Sequence, residues 1–276
     1  MKRQLGTYHK MMKVGTTALM MGLALTACGS SSSSANPDGT LNKGQLVIAY
    51  RSDDKPASYI SNNQAAGYAI ELMKSIAAQL HLTPKFVDVA FNSILPGVQN
   101  HQYDTSIGVL ATPARQKQVG FTTPSDFTFA QLISKKSAEI ATISDSAGKT
   151  VAITSGSALI PLLEAKVPTV KVKEFPKIPA SANALEIGQV QGLFTGPLTT
   201  KQLLSQYPDL TATQTIAIGF DALPYPKTDA VLGKALNSAL ATVMKNGTYT
   251  KEFKQFEPGK TLPSQLLSQY PGMPQA

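Results

Sequence analysis

Apolar residues along this chain of 276 residues alternate between two rhythms. Segment 44–50, GQLVIAY, is a short apolar run opened by glycine, which predicts a strand. Segment 67–82 then sets Ala69, Leu72, Met73, Ile76, Ala77 and Leu80 three and four residues apart, the buried face of a helix. The alternation continues with a strand over 84–91, a short helix over 94–104 and a strand over 105–110. Further on come a strand over 148–154, a helix opening at the SGS of 155–157, a helix-then-strand unit over 182–196 and a helix over 198–206. Segment 230–256 is a long amphipathic helix with Leu232, Leu236, Leu240 and Val243 on one stripe and a break at Asn246-Gly247. Strands alternating with helices argue an α/β chain with parallel strands, helices on both faces and ligands near the strands' carboxyl ends. The string LLSQYP occurs at 203–208 and 266–271, each copy reading as a helix end stopped by proline; two such copies do not make a solenoid.

The beginning of the chain follows a different pattern. Lys2, Arg3, Lys10 and Lys13 precede an apolar run over 14–27 that is too short to span a membrane, and LTAC follows at 25–28. A basic head, a short apolar core and small residues before a cut site describe a secretory leader over 1–27. The next segment, 28–43, is rich in Ser, Gly, Asn and Pro and reads as a flexible tether. Those four leader cations make up half of the formal net charge of +8. The rest of the charge is spread without a dense basic run, so nucleic acid is not expected as a partner. Cys28 is the only cysteine, which excludes an intramolecular disulfide, a Cys/His nucleophile pair and a cysteine zinc cluster. His81, at a helix end, and His101, in a loop, have no spaced carboxylate beside them, so no metal or other cofactor is expected.

Several segments carry a family resemblance. LTAC resembles the bacterial lipobox, which implies a lipid anchor on Cys28; two acyl chains at about 0.8 kcal/mol per buried methylene hold stably to a membrane. FNSILPGVQNHQYD (91–104), TPARQKQVGFTTP (112–124), GKTVAITSGS (148–157) and NGTYTKEFKQF (246–256) resemble, in order, the motifs of family 3 extracellular solute-binding proteins, the polar-amino-acid-binding subunits of ABC importers. The resemblance implies a two-lobed periplasmic-binding-protein-like fold (type II) whose lobes are joined by two hinge strands. Lobe 1 would be 44–131 and 219–258, lobe 2 would be 132–218, and 259–276 would be a C-terminal tail. It also implies a monomer on the outer face of a cell membrane, of the Gram-positive kind, working with an ABC permease and its ATPase.

Carried over residue by residue, the resemblance gives Arg115 the ligand's carboxylate, and its planar fork suits two parallel bonds. Phe91 would stack on the ligand or serve as core. Ser155 and Ser157 open a helix whose free N–H groups suit an anion, or Ser157 caps it. Leu110 and Thr112 flank the arginine, and Leu110 stands where relatives keep a polar or larger residue. Gly196 falls where relatives keep the acid for an α-ammonium, while Arg51 and Asp54 fall where they keep an acid and an aromatic ring. A buried ammonium without a counter-charge is costly. The ligand therefore either lacks an α-amino group or draws its counter-charge from Asp53 or Asp54, unless Arg51, Asp53 and Asp54 form a solvated loop cluster. Arg51 near Arg115 would favour a second carboxylate on the ligand.

The leading expectation is a binding protein for a small carboxylate-bearing solute, a polar amino acid or related compound. One alternative is a dehydratase-like enzyme of the same fold acting on a cyclic carboxylate, with Asp53 or Asp54 as acid and base. Another is a surface adhesin or sensory binding module.

Overall fold

The computed structural model describes residue 36 and residues 38–275. The leader, Cys28 and most of the tether lie outside the described residues.

Gln45–Tyr50 pairs in parallel with Thr83–Asp88 on one side and Thr105–Ser106 on the other. Helix Tyr68–Gln79 covers this sheet, and Ile70, Leu72, Met73, Ile76 and Ala77 are its buried face. They join Leu46, Ile48, Leu232, Leu236, Leu240 and Val243 in one core, so the stripe of helix Ala230–Lys245 closes the same lobe. That helix stops where the sequence pattern breaks. Gly247 takes the left-handed conformation (φ 85°) and Thr248–Phe256 restarts as a separate helix.

The second lobe is built on Lys171–Phe175, Thr150–Thr154 and Gly192–Thr195, which are mutually parallel. Apolar clusters cover both faces of these strands, around Ile133, Leu185 and Leu193 on one and Leu132, Ile153 and Leu163 on the other. Two long strands run between the lobes. Gly120–Lys135 pairs antiparallel with Gly192–Thr195 in lobe 2 and with Ile216–Tyr225, which itself pairs with Val109–Leu110 in lobe 1. The lobe boundaries expected at 131/132 and 218/219 therefore fall inside continuous strands.

Three differences from the sequence expectations have local causes. The strand expected over 84–91 ends at Asp88, and Phe91 already begins helix Phe91–Gln99. The strand expected over 105–110 is split at Ile107-Gly108, because a Cβ on residue 108 would lie 2.7 Å from Ser125 Oγ. The tail is the largest difference. Segment 259–276 packs onto lobe 1, with helix Ser264–Gln269 placing Leu262, Leu266, Tyr270 and Met273 in its core. Tyr270 Oη also donates to Pro124 O at 2.5 Å, tying the tail to the first crossing strand. Both LLSQYP copies do sit at helix ends, and nothing else relates them. Among the described residues, no helix is long and apolar enough to cross a membrane.

Candidate functional site

A cavity of about 660 Å³ lies between the lobes and is lined from both of them and from the two crossing strands. Arg51, Asp54, Phe91, Leu110, Arg115, Ser157 and Gly196 line it. Thr112 and Ser155 do not, and in each case a local bond explains why. Thr112 is the N-cap of the short helix Pro113–Gln116, where its hydroxyl accepts from Arg115 N at 3.3 Å. Ser155 N donates to Phe175 O at 2.8 Å, continuing the strand pairing behind the cavity wall.

Arg115 sits in the helix's first turn yet is buried, with its side chain leaving the helix for the cavity wall. Its guanidinium donates to Leu110 O at 3.0 Å and, across the lobes, to Gly156 O at 2.9 Å. Among the described residues it forms no ion pair, and burial lowers its pKa. A buried cation paired only with carbonyls leaves donors suited to an anion.

Phe91 lies between two guanidiniums. The Arg115 and Arg51 carbons stand 5.7 and 5.3 Å from its ring centre, so the ring shields both cations from water. Arg51 is not available to a second carboxylate, because Asp53 takes it in a two-point pair of 2.7 and 2.8 Å. This pair is buried, not a solvated loop cluster. Burial alone would lower the Arg51 pKa and raise that of Asp53; their mutual bonds outweigh burial, so Arg51 ends up raised and Asp53 lowered. Asp53 also accepts from Ile178 N of lobe 2 at 2.7 Å, and Asp54 accepts from Thr199 Oγ1 at 2.8 Å. Ser157 acts as a cap, its Oγ accepting from Leu159 N at 3.2 Å. Gly196 is the N-cap of helix Pro197–Gln206 and brings no charge to the wall.

The sequence reading missed the acids that the crossing strands carry. Asp126 on the first and Asp221 on the second are register partners, and both line the cavity. Burial pushes Asp126 up to about 6. Burial, together with Asp126 and Asp54, pushes Asp221 up to about 7. Tyr68 Oη donates to Asp126 at 3.3 Å, and Thr128 Oγ1 donates to Asp221. The Tyr249 hydroxyl lies near Asp126 without hydrogen-bond geometry and is buried with no partner. Burial holds both phenols well above their ordinary range, so they remain donors. Phe127 packs edge-on against Phe129 and Phe220, each at 5.0 Å between ring centres, and stiffens this stretch of both strands.

A signal for these acids was present in the sequence. Each is a lone carboxylate within a strand otherwise made of aromatic, small and apolar residues (PSDFTFAQL and IGFDALPY). A charge so placed is expensive without a partner.

Comparison with known proteins gives a consistent answer. The model of the bacterial extracellular solute-binding proteins, family 3, matches residues 46–258. ABC transporter arginine-binding protein 1 of Escherichia coli K12 is 31% identical over 206 residues, covering 72% of this chain and 84% of that protein. The probable amino-acid-binding protein YxeM of Bacillus subtilis 168 is 27% identical over 250 residues, covering 87% of this chain and 93% of that one. Among solved structures, an ancestral arginine-binding protein bound to glutamine superposes with a TM-score of 0.74 at 26% identity, covering 78% of this chain and 98% of that one.

Proposed function

The chain belongs to the bacterial extracellular solute-binding proteins of family 3, and from that premise we propose that it captures a small carboxylate-bearing solute, a polar amino acid or related compound, for an ABC importer. Its fold is the two-lobed type II form of that family. The observation that carries the reading is Arg115, a buried guanidinium with no acid of its own, facing a cavity between two lobes. In this reading Arg115 holds the carboxylate and Phe91 forms the platform beside it. Leu110 and Gly196 are walls, Asp54 and Ser157 polar contacts, and Arg51 supports Phe91 instead of touching the solute. Thr112 acts by setting the turn from which Arg115 projects. Relatives named as amino-acid-binding and arginine-binding proteins support the solute class.

The protein would act outside the cytoplasm as a monomer, held to the membrane through a lipid on Cys28, and pass its solute to a permease driven by an ATPase. No catalytic role is assigned. The dehydratase reading needed Asp53 or Asp54 free as acid and base, but Asp53 is committed to Arg51 and Ile178, and Asp54 to Thr199. A thermal-shift screen over amino acids and dicarboxylates tests the reading. A solute at 100 times its Kd adds about 2.7 kcal/mol, and Arg115→Ala should remove that shift. A full shift retained in Arg115→Ala would overturn the carboxylate assignment.

A further inference from the structure

The cavity is unevenly charged around Arg115. Of its basic lining residues, Arg51 is taken by Asp53, and Lys201 lies 3.7 Å from Glu257. Arg115 is left facing Asp54, Asp126 and Asp221, one cation among three carboxylates. Asp126 and Asp221 sit opposite each other on antiparallel strands, where side chains share a face and like charges repel. Neither has an ion-pair partner among the described residues. Two further polar groups point to an occupant. The Tyr249 hydroxyl, on a residue 1% exposed, is unpartnered beside Asp126. Glu257, 4% exposed, lines the same cavity with its Oε2 lacking a hydrogen-bond donor.

A metal is a poor fit, since no group of three His, Cys, Asp or Glu among the described residues is placed to hold one. An organic cation bearing N–H groups suits the arrangement better. Its protons would be shared between two carboxylates, its charge would relieve their repulsion, and Phe127 and Phe129 line the same stretch for its carbon stem.

We propose that Asp126 and Asp221 form a cation-accepting subsite, so that the solute is an amino acid bearing a protonated amine or guanidinium group in addition to its carboxylate. This rests on the cavity being the solute site, and it moves the cationic contact from the wall at residue 196 to the two strands that join the lobes. The groups facing the pair are Asp54, Tyr68, Arg115 and Tyr249. Arg115 is the only cation among them, and it is reserved for the carboxylate at the other end of the solute. Because the carboxylates must be ionised to bind the cation, binding should release protons and weaken in acid.

The test is calorimetry on the full-length chain in detergent, with L-arginine, L-lysine, L-ornithine, L-glutamine and L-glutamate as probes. Asp126→Asn and Asp221→Asn are near-isosteric, and a melting curve on each confirms folding. The cationic probes should bind the wild type more tightly than glutamine or glutamate. Each Asn variant should weaken them by roughly 30-fold or more, the scale for truncating one member of a buried charge pair, while moving glutamine little. At pH 6.5, lysine binding should release protons, seen as a heat that depends on the buffer's ionisation enthalpy, and this release should vanish in the double variant. Tighter binding of glutamine or glutamate, failure of all three cationic probes, or cation affinity unchanged in the double variant would each overturn the proposal. Loss of binding in Arg115→Ala under those outcomes would leave the carboxylate reading standing.

Discussion

In the absence of solute, Asp221→Asn should make the protein more stable at pH 8 and leave it nearly unchanged at pH 4. The Asp221 carboxyl is raised from 3.8 to about 7, first by burial and then by Asp126 and Asp54. Between those pH values the folded protein keeps a proton that the unfolded chain has released. The folded state therefore binds more protons, and its stability falls as pH rises through this window. Each unit is worth about 1.4 kcal/mol, which sets an upper limit of about 4 kcal/mol once pH exceeds 7. The carboxylate keeps some access to the cavity, and screening there brings the expected penalty to roughly 2–4 kcal/mol. Asparagine keeps the shape and the Thr128 contact but carries no charge. At roughly 2–4 °C per kcal/mol for a body of this size, the variant should melt about 5–15 °C above wild type at pH 8. Paired melting curves at pH 4 and pH 8 suffice. An equal offset at both pH values would mean packing, not charge, was changed, and a lower melting point for the variant at pH 8 would refute the reasoning outright.

Other expectations follow from the packing and the site. Saturating L-lysine should reverse that ranking at pH 8, wild type gaining more than the variant in the same melting assay. Leu266→Ala should cost about 2–5 kcal/mol in urea denaturation, because Leu266 is fully buried in lobe 1; a loss under about 0.5 kcal/mol would show that the tail is dispensable. Gly67→Ala should lower stability by about 3 kcal/mol or more. Its φ of +123° is strained for any side chain, and a Cβ there would lie 2.2 Å from Ala57 O, a backbone atom that cannot swing away. Normal melting of Gly67→Ala would refute that contact.

Local periodicity explains why much of the fold could be read in advance. The spacing of Leu72, Met73 and Ile76, the stripe from Leu232 to Val243 and the stop at Gly247 are properties of one helix each, and each helix buries the side its own pattern specifies. Arg115 was legible for a related reason, as a cation in a first helical turn that a local motif singles out. The acid pair was not legible, because Asp126 and Asp221 meet only through strand pairing, and that register shifts immediately after Asp221. The fate of Arg51 depended equally on geometry. A sequence shows Arg51, Asp53 and Asp54 as neighbours, but strand Asp53–Asp54 turns Asp53 back onto Arg51 and leaves Asp54 on the cavity. The tail's apolar residues at 262, 266, 270 and 273 did repeat at helical spacing, yet nothing in that spacing says which surface they cover.

Three bonds described above join one lobe to the other: Asp53 to Ile178 N, Asp54 to Thr199, and Arg115 to Gly156 O. The Asp53–Ile178 bond lies outside the cavity lining, so it contributes to how readily the protein shuts but not to what it prefers inside. Apparent affinity scales with the fraction of molecules able to shut. Weakening this bond should therefore raise Kd for every solute by one common factor and preserve their order. The crossing strands would set the menu, and the rim contact would set the gain.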